Sequence, residues 1–219
     1  MRAILFDMDG LLIDSEPLWK DAEREVFARV GVTIPAALAE ITMGLRTDEV
    51  TAFWYARQPW SGASLEEVEN AVIEQVGELI ATRGAALPGV AQVLDFFAAR
   101  KYRMAIASNS PDVLIDAVLR KLAIGHYFQV LCSSVHEPQG KPHPGVYLTA
   151  AARLGVAPER CLVFEDSVPG IRAAKAAGMT AVAVPAPELA HDPAFALADL
   201  RLGSLREWSA ARAAALGFD

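Results

Sequence analysis

Short apolar runs alternate along the chain with segments in which apolar residues recur at the spacing of a helix. A run that is apolar at every position predicts a strand covered on both faces, as in a parallel sheet flanked by helices. The alternation therefore predicts an α/β fold, a Rossmann-like parallel sheet covered by helices on both faces. The predicted strands span residues 3–6, 102–107, 128–132, 161–164 and 180–184.

Several predicted helices carry recognisable start signals. Ser64 followed by Glu67 has the pattern of a capping box, in which each side chain bonds the backbone of the other residue. Ser110 and Ser167 are each expected to cap the helix that follows, because a serine oxygen accepts a hydrogen bond from a free N–H of the first turn. Near the C-terminal end, one packing helix is expected over residues 205–216.

A long interval separates the first two predicted strands. It holds about 95 residues, and its apolar periodicity predicts helices only. Loops at the carboxyl edge of a parallel sheet line the ligand site, so an insertion at this point is expected to cover that site as a lid. We predict a core domain of residues 1–14 and 86–219 and a small all-helical cap domain of residues 15–85.

Composition and charge narrow the class of protein. The chain has 219 residues, of which 53% are hydrophobic and 21% charged, as expected for a globular protein. A net charge of −7 argues against nucleic-acid and anionic-membrane partners, and no apolar run approaches the roughly 20 residues of a membrane span. Cys132 and Cys161 fall in predicted buried strands, which favours a reducing compartment, and no secretory signal is recognised, so a cytoplasmic location is expected.

The first candidate chemical group follows the first predicted strand. Asp7 and Asp9 are two residues apart and can share one face, while Gly10 lets the chain turn. Two carboxylates held close repel each other unless a cation lies between them, and Mg²⁺ prefers such oxygen ligands. With Mg²⁺ bound, one carboxylate can attack an electrophile while its neighbour moves a proton.

Polar residues also follow other predicted strands. Ser108 and Asn109 follow the second, Lys141 lies in the loop after the third, and Glu165 and Asp166 follow the fourth. Carboxyl ends of parallel strands meet at one edge, so these residues can join the first acidic pair in a site for a phosphate beside Mg²⁺. Simpler interpretations exist. Lys141 could be a solvated loop residue, and the sole effect of Glu165 and Asp166 could be to stabilise the start of the following helix.

The ordered set resembles a known family. Asp7–Gly10, Ser108, Lys141 and Glu165–Asp166 are similar to the four motifs of the haloacid dehalogenase superfamily over essentially the whole chain. The insertion resembles the helical cap of the subgroup with β-phosphoglucomutase and sugar-phosphate phosphatases. The resemblance implies a Mg²⁺-dependent phosphatase that hydrolyses small phosphomonoesters, such as 2-deoxyglucose 6-phosphate or hexitol phosphates, through an aspartyl-phosphate.

The same resemblance implies roles for individual residues. Asp7 would be the nucleophile and Asp9 the general acid and base. Mg²⁺ would be held by Asp7, the backbone carbonyl of Asp9, Asp166 and, directly or through water, Glu165. The expected substrate-binding residues are Ser108, Asn109 and Lys141 at the phosphate and Glu16, Arg46, Trp54 and Arg57 in the cap.

Two other functions stay open at this point. A phosphomutase like β-phosphoglucomutase is disfavoured because Trp19 stands where those mutases have a histidine. A non-catalytic phosphate-binding regulatory protein is disfavoured because both acidic pairs and Lys141 are intact. We expect a small-molecule phosphomonoester as the partner, and a monomer.

Overall fold

The computed structural model describes residues 2–35, 41–42 and 44–219. Over these residues the strands form a six-stranded sheet in the order β3-β2-β1-β4-β5-β6, with every neighbouring pair parallel. This confirms the predicted parallel α/β sheet. The strands are β1 (Ala3–Phe6), β2 (Arg103–Ser108), β3 (Val130–Ser133), β4 (Cys161–Glu165), β5 (Thr180–Ala183) and β6 (Leu200–Arg201).

Helices cover the sheet and fill the long interval after β1, as predicted. They are α1 (Glu16–Arg29), α2 (Thr47–Arg57), α3 (Leu65–Arg83), α4 (Val90–Ala99), α5 (Asp112–Leu122), α6 (Gly145–Leu154), α7 (Val168–Ala176) and α8 (Ala210–Ala215). None of the helices in the described part of the chain is long and apolar enough to cross a membrane.

Two of the predicted helix starts are confirmed. The N–H of Glu67 donates to the Ser64 hydroxyl at 3.1 Å, and the N–H of Ser64 donates to the Glu67 carboxylate at 2.7 Å. These two bonds form the predicted capping box of α3. Ser167 accepts a hydrogen bond from the N–H of Gly170 at 3.1 Å and caps α7.

Two sequence-based expectations about elements are wrong, and one strand was missed. Ser110 does not cap α5, because the helix begins one residue later, after Pro111. The C-terminal helix is divided into a 3₁₀ turn over Leu205–Glu207 and α8. Trp208 leaves helical geometry between them, and its ring packs on Phe164 with ring centroids 4.9 Å apart. β6 was not predicted, since it has only two residues and lacks a continuous apolar run.

The alternating side chains of β1 divide the core into two layers. Ile4 and Phe6 belong to the layer that includes α4 and α5, whereas Ala3 and Leu5 belong to the layer that includes α6 and α7. All four strand residues are fully buried, so the carboxyl end of β1 is fixed from both sides. Residues that follow this strand therefore begin from a rigid position.

Two linkers join the helical insertion to the sheet. The N–H of Asp14 donates to the carbonyl of Ala85 at 3.0 Å, and the N–H of Leu87 donates to that of Leu12 at 3.3 Å. The chain thus leaves and re-enters the core at one place, and α1 packs on α3 beyond it. We keep residues 15–85 as the proposed limits of the cap, since both ends lie in these linkers.

Candidate active site

A cavity lies between the carboxyl edge of the sheet and helix α1. It has about 760 Å³ of empty space when its open mouth is included. The structure brings eight of the predicted site residues to its wall: Asp7, Asp9, Glu16, Ser108, Asn109, Lys141, Glu165 and Asp166. The strand ends therefore converge as the order of motifs along the chain predicts.

Lys141 is the buried cation of the site. Its ammonium donates to the carboxylate of Asp7 at 2.5 Å and to that of Glu165 at 2.7 Å, and the residue is only 4% exposed. Burial disfavours its charge, but the attraction of the two carboxylates is stronger in sum and raises the pKa of Lys141. The interpretation of Lys141 as a solvated loop residue is therefore wrong.

Glu165 holds Lys141 in place with both of its carboxylate oxygens engaged. One oxygen accepts from Lys141 and from the Tyr147 hydroxyl at 2.8 Å, and the other accepts from the N–H and hydroxyl of Ser167, both at 2.9 Å. A Cβ on Gly170 would lie 1.7 Å from Glu165 Oε1, so the carboxylate needs a glycine beneath it. Tyr147 is a site residue that sequence reasoning missed.

Three carboxylates converge beside this cation. Oxygens of Asp7, Glu165 and Asp166 all lie within 4.8 Å of one another. Burial raises the pKa of Asp7 to about 8, against the opposing effect of Lys141, and burial likewise raises the pKa of Asp166 well above its usual range. A single lysine does not balance three carboxylates, of which two are buried and that of Asp166 is half-buried, so the donor set fits a hard divalent cation such as Mg²⁺.

Gly10 allows this convergence. Its φ of +69° is in the left-handed region, and a Cβ at this position would lie 2.1 Å from a carboxylate oxygen of Asp166. An L-residue with a side chain would be strained and would displace Asp166. The turn after β1 therefore shapes the acidic cluster as well as redirecting the chain.

The Asp9 carboxylate lies in a different environment. One oxygen accepts from the Ser15 hydroxyl at 2.7 Å and the Trp19 indole N–H at 3.0 Å, and the other accepts from the Ser110 hydroxyl at 2.6 Å. Sequence reasoning missed all three donors. It treated Ser110 as a helix cap and Trp19 only as the replacement of a histidine, and no spacing rule connects Asp9 with residues 6, 10 and 101 positions away.

Ser108 and Asn109 order the loop after β2. The Ser108 hydroxyl accepts from the N–H of Ser110 at 3.0 Å. The Asn109 side chain accepts from the N–H of Lys141 at 2.9 Å and donates to the carbonyl of Gly44 in the cap at 2.8 Å. Asn109 thus joins the lysine loop to the cap.

Three of the four cap residues predicted to bind substrate do not line the cavity. Arg46 bonds Asp48 and donates to the carbonyls of Ser134 at 3.3 Å and Glu137 at 3.2 Å in the core. Trp54 is 1% exposed and packs on Phe53, with ring centroids 5.2 Å apart, and the Arg57 guanidinium lies 3.5 Å over the same Phe53 ring. Only Glu16 of the four lines the cavity.

The cap instead presents a polar stripe of α1. Glu16, Trp19, Lys20 and Glu23 all line the cavity, at positions that repeat every three or four residues. The Lys20 ammonium lies 3.9 Å from the Glu16 carboxylate. Burial raises the pKa of Glu23 to about 7, with a further contribution from Glu16. The helical spacing of these charged residues was a signal that sequence reasoning did not use for Lys20 and Glu23.

Comparisons with family models and with known proteins indicate the same family. The family model of haloacid dehalogenase-like hydrolases matches residues 1–178. Hexitol phosphatase B of Escherichia coli (strain K12) is 46% identical over 210 residues, which cover 95% of this chain and 94% of that protein. The sequences of residues 6–19, 54–60 and 184–188 resemble those of bacterial hexitol phosphatases, also described as 2-deoxyglucose-6-phosphate phosphatases. The identity to hexitol phosphatase B over almost the whole chain confirms the likeness to hexitol phosphatases.

Two further relatives show the range of the family. The β-phosphoglucomutase of Bacillus subtilis (strain 168) is 30% identical and covers 84% of this chain and 83% of its own length. A crystal structure of a CbbY mutant from Rhodobacter sphaeroides in complex with xylulose-(1,5)bisphosphate has a TM-score of 0.86 at 30% identity, covering 94% of this chain and 96% of that one. On these findings, the chain belongs to the haloacid dehalogenase-like hydrolases.

Proposed function

We propose that this protein is a Mg²⁺-dependent phosphatase of small sugar phosphates and hexitol phosphates. The observation that carries the proposal is the buried Asp7–Lys141–Glu165 network at the end of β1, open to a cavity that a cap helix covers. A nucleophilic carboxylate beside a fixed cation suits an anionic phosphate substrate. The similarity to hexitol phosphatase B supports a hydroxyl-rich leaving group.

Asp7 is the proposed nucleophile. Its carboxylate attacks phosphorus, a bond forms between the Asp7 oxygen and phosphorus, and the bond from phosphorus to the sugar oxygen breaks. Asp9 gives a proton to the leaving oxygen and then takes one from the water that hydrolyses the aspartyl-phosphate. Lys141, Ser108 and the backbone N–H of Asn109 bind the phosphate oxygens, where charge accumulates in the transition state.

Asp7, Asp166 and the backbone carbonyl of Asp9 would hold Mg²⁺. Glu165 would reach the ion through water, because both of its oxygens already accept hydrogen bonds from the protein. Bound Mg²⁺ offsets the repulsion between the attacking carboxylate and the phosphate. Glu165 itself positions Lys141, and α1 excludes bulk water from above.

Phosphate release with and without EDTA tests the proposal. We expect release of inorganic phosphate from 2-deoxyglucose 6-phosphate and glucitol 6-phosphate, its loss in EDTA and its return with added Mg²⁺. Interconversion of sugar phosphates without release would indicate a mutase instead. Binding of the esters without turnover would indicate a regulatory protein.

A further inference from the structure

Helix α1 turns one charged stripe toward the catalytic carboxylates. Glu16, Lys20 and Glu23 are spaced by four and three residues, so they share one face, and all three line the cavity. The opposite face, with Leu18, Ala22 and Val26, is buried. From Glu16 to Glu23 the stripe extends about 10 Å at the rise of an α-helix. It is long enough to contact several carbons of a substrate's leaving group.

The charge around the cavity is strongly negative. Its described lining residues include six carboxylates and two ammonium groups, those of Lys20 and Lys141. Lys141 is already bound to Asp7 and Glu165, and Lys20 lies 3.9 Å from Glu16. A Mg²⁺ ion at the acidic cluster would serve the phosphate being transferred. Among the described lining residues, no comparable group serves a second phosphate at the α1 end, where the carboxylates of Glu16 and Glu23 would repel it.

One of the two cap arginines expected to bind substrate has its polar contacts elsewhere. Arg46 forms an ion pair with Asp48 and donates to two backbone carbonyls of the core. It does not line the cavity, and no other arginine does so among the described residues. Arginine is the usual residue for bidentate phosphate binding.

The same stripe suits hydroxyl groups. Carboxylates accept hydrogen bonds from hydroxyls, and the Lys20 ammonium donates to them. Because burial raises the pKa of Glu23 to about 7, its carboxyl can also donate near neutral pH. The Trp19 indole, between Glu16 and Lys20 on the same face, offers an apolar surface for C–H groups.

We propose that Glu16, Lys20 and Glu23 form a subsite that binds the uncharged, hydroxyl-bearing end of a sugar monophosphate and rejects substrates with a second phosphate. The proposal rests on the proposed phosphatase function and assigns the residues that determine its substrate specificity. It also separates this protein from the CbbY relative, which was crystallised with a bisphosphate.

Matched substrates test the subsite. Fructose 6-phosphate and fructose 1,6-bisphosphate differ by one phosphate, and kcat/KM is measured for both at pH 8, where Glu23 is mostly ionised. The wild type should favour the monophosphate by at least about tenfold. Glu23→Lys and Glu16→Lys should each reduce this preference about tenfold or more, since each replaces a repelling charge by an attracting one. Lys20→Met should raise KM for fructose 6-phosphate.

Glu25→Lys is the matched control on the same helix. Glu25 is exposed and bonds Arg29 outside the cavity, so this change should leave the preference as in the wild type. Hydrolysis of p-nitrophenyl phosphate by each variant shows that the phosphate end of the site is assembled. If Glu23→Lys does not fold, Glu23→Gln at pH 8 must shift the preference in the same direction.

The possible failures are distinguishable. An unchanged preference in variants that hydrolyse p-nitrophenyl phosphate, or a wild type that favours the bisphosphate, overturns the subsite and leaves the phosphatase function intact. A wild type that releases phosphate with Mg²⁺ from none of these three esters, and from neither 2-deoxyglucose 6-phosphate nor glucitol 6-phosphate, contradicts the proposed function, and the subsite with it.

Discussion

At the scale of single residues, the two aspartates after β1 are held in different ways. Asp7 is bound to the buried ammonium of Lys141, whereas the carboxylate of Asp9 accepts hydrogen bonds from three uncharged donors. A fixed cation suits a carboxylate that attacks as an anion, and neutral donors orient a carboxylate that must exchange a proton. The different surroundings of two neighbouring acids support different proposed roles.

Trp19→Phe should impair the proposed proton transfer by Asp9. The change removes one hydrogen bond to a carboxylate, and such bonds contribute about 1.5–3 kcal/mol. We expect kcat for fructose 6-phosphate to fall roughly tenfold, and kcat for p-nitrophenyl phosphate to fall less, because its leaving group needs little protonation. Trp60→Phe is the control, since the Trp60 indole N–H has no hydrogen-bond partner in the described structure. Equal losses on both substrates would rule out a role through Asp9.

Glu23 should make stability depend on pH. Burial raises its folded-state pKa to about 7, from 4.5, so the unfolded chain loses the proton first as pH rises. The wild type should therefore lose stability between about pH 4.5 and 7 relative to Glu23→Gln, with a constant difference above that range. Near pH 4.5 and below, the two should converge. Glu16 and Lys20 face Glu23 and are the same in both proteins. Parallel melting temperatures from pH 5 to 8 would contradict this assignment.

At the scale of elements, the sequence predicted the site residues that follow strand ends, but it missed contacts that depend on the direction of individual side chains. Periodicity located the strands from β1 to β5. The parallel sheet then brings Asp7 and Asp166 to one edge, and the loop after β3 returns Lys141 to the same edge. Arg46 was expected to meet substrate, yet its side chain turns to carbonyls beyond β3. Tyr147 escaped notice because a buried tyrosine in an apolar helix face has no distinguishing sequence pattern.

Gly10→Ala should damage the acidic cluster more than the turn itself. Left-handed backbone costs an L-residue about 1–2 kcal/mol, and at Gly10 the new Cβ would also collide with Asp166. Gly31→Ala is a matched control, because Gly31 has φ +80° with nothing within 4 Å of its Cβ position. Both variants should melt at lower temperature, by about 2–4 °C per kcal/mol. Only Gly10→Ala should require more Mg²⁺ for half-maximal activity, and an equal Mg²⁺ requirement in both would contradict the account.

At the scale of the whole molecule, the cap is fastened to the core beside the site. Asn109 donates to the carbonyl of Gly44, and Arg46 reaches the core carbonyls of Ser134 and Glu137. A Cβ on Gly140 would lie 2.8 Å from Arg46 Cδ, so the arginine packs closely on the loop that carries Lys141. The cap position and the placement of the lysine loop are thereby connected.

Arg46→Ala should accordingly weaken catalysis on every substrate. Loss of the cap-to-core contacts should lower kcat/KM for fructose 6-phosphate and p-nitrophenyl phosphate in parallel, by roughly tenfold, because lid closure serves both reactions. Arg24→Ala, an exposed change in the cap, is the control. A loss limited to the sugar phosphate would instead place Arg46 on the substrate, as the sequence alone predicted.

The central claim is that Asp7 carries the phosphoryl group during turnover. The most direct measurement is mass spectrometry of peptides after mixing the enzyme with Mg²⁺ and 2-deoxyglucose 6-phosphate and quenching in acid within one turnover. The account predicts one added phosphoryl group on the peptide that contains Asp7, and neither adduct nor phosphate release in Asp7→Asn with a native circular-dichroism spectrum. A phosphoryl group on another residue, or full phosphate release by Asp7→Asn, would contradict it.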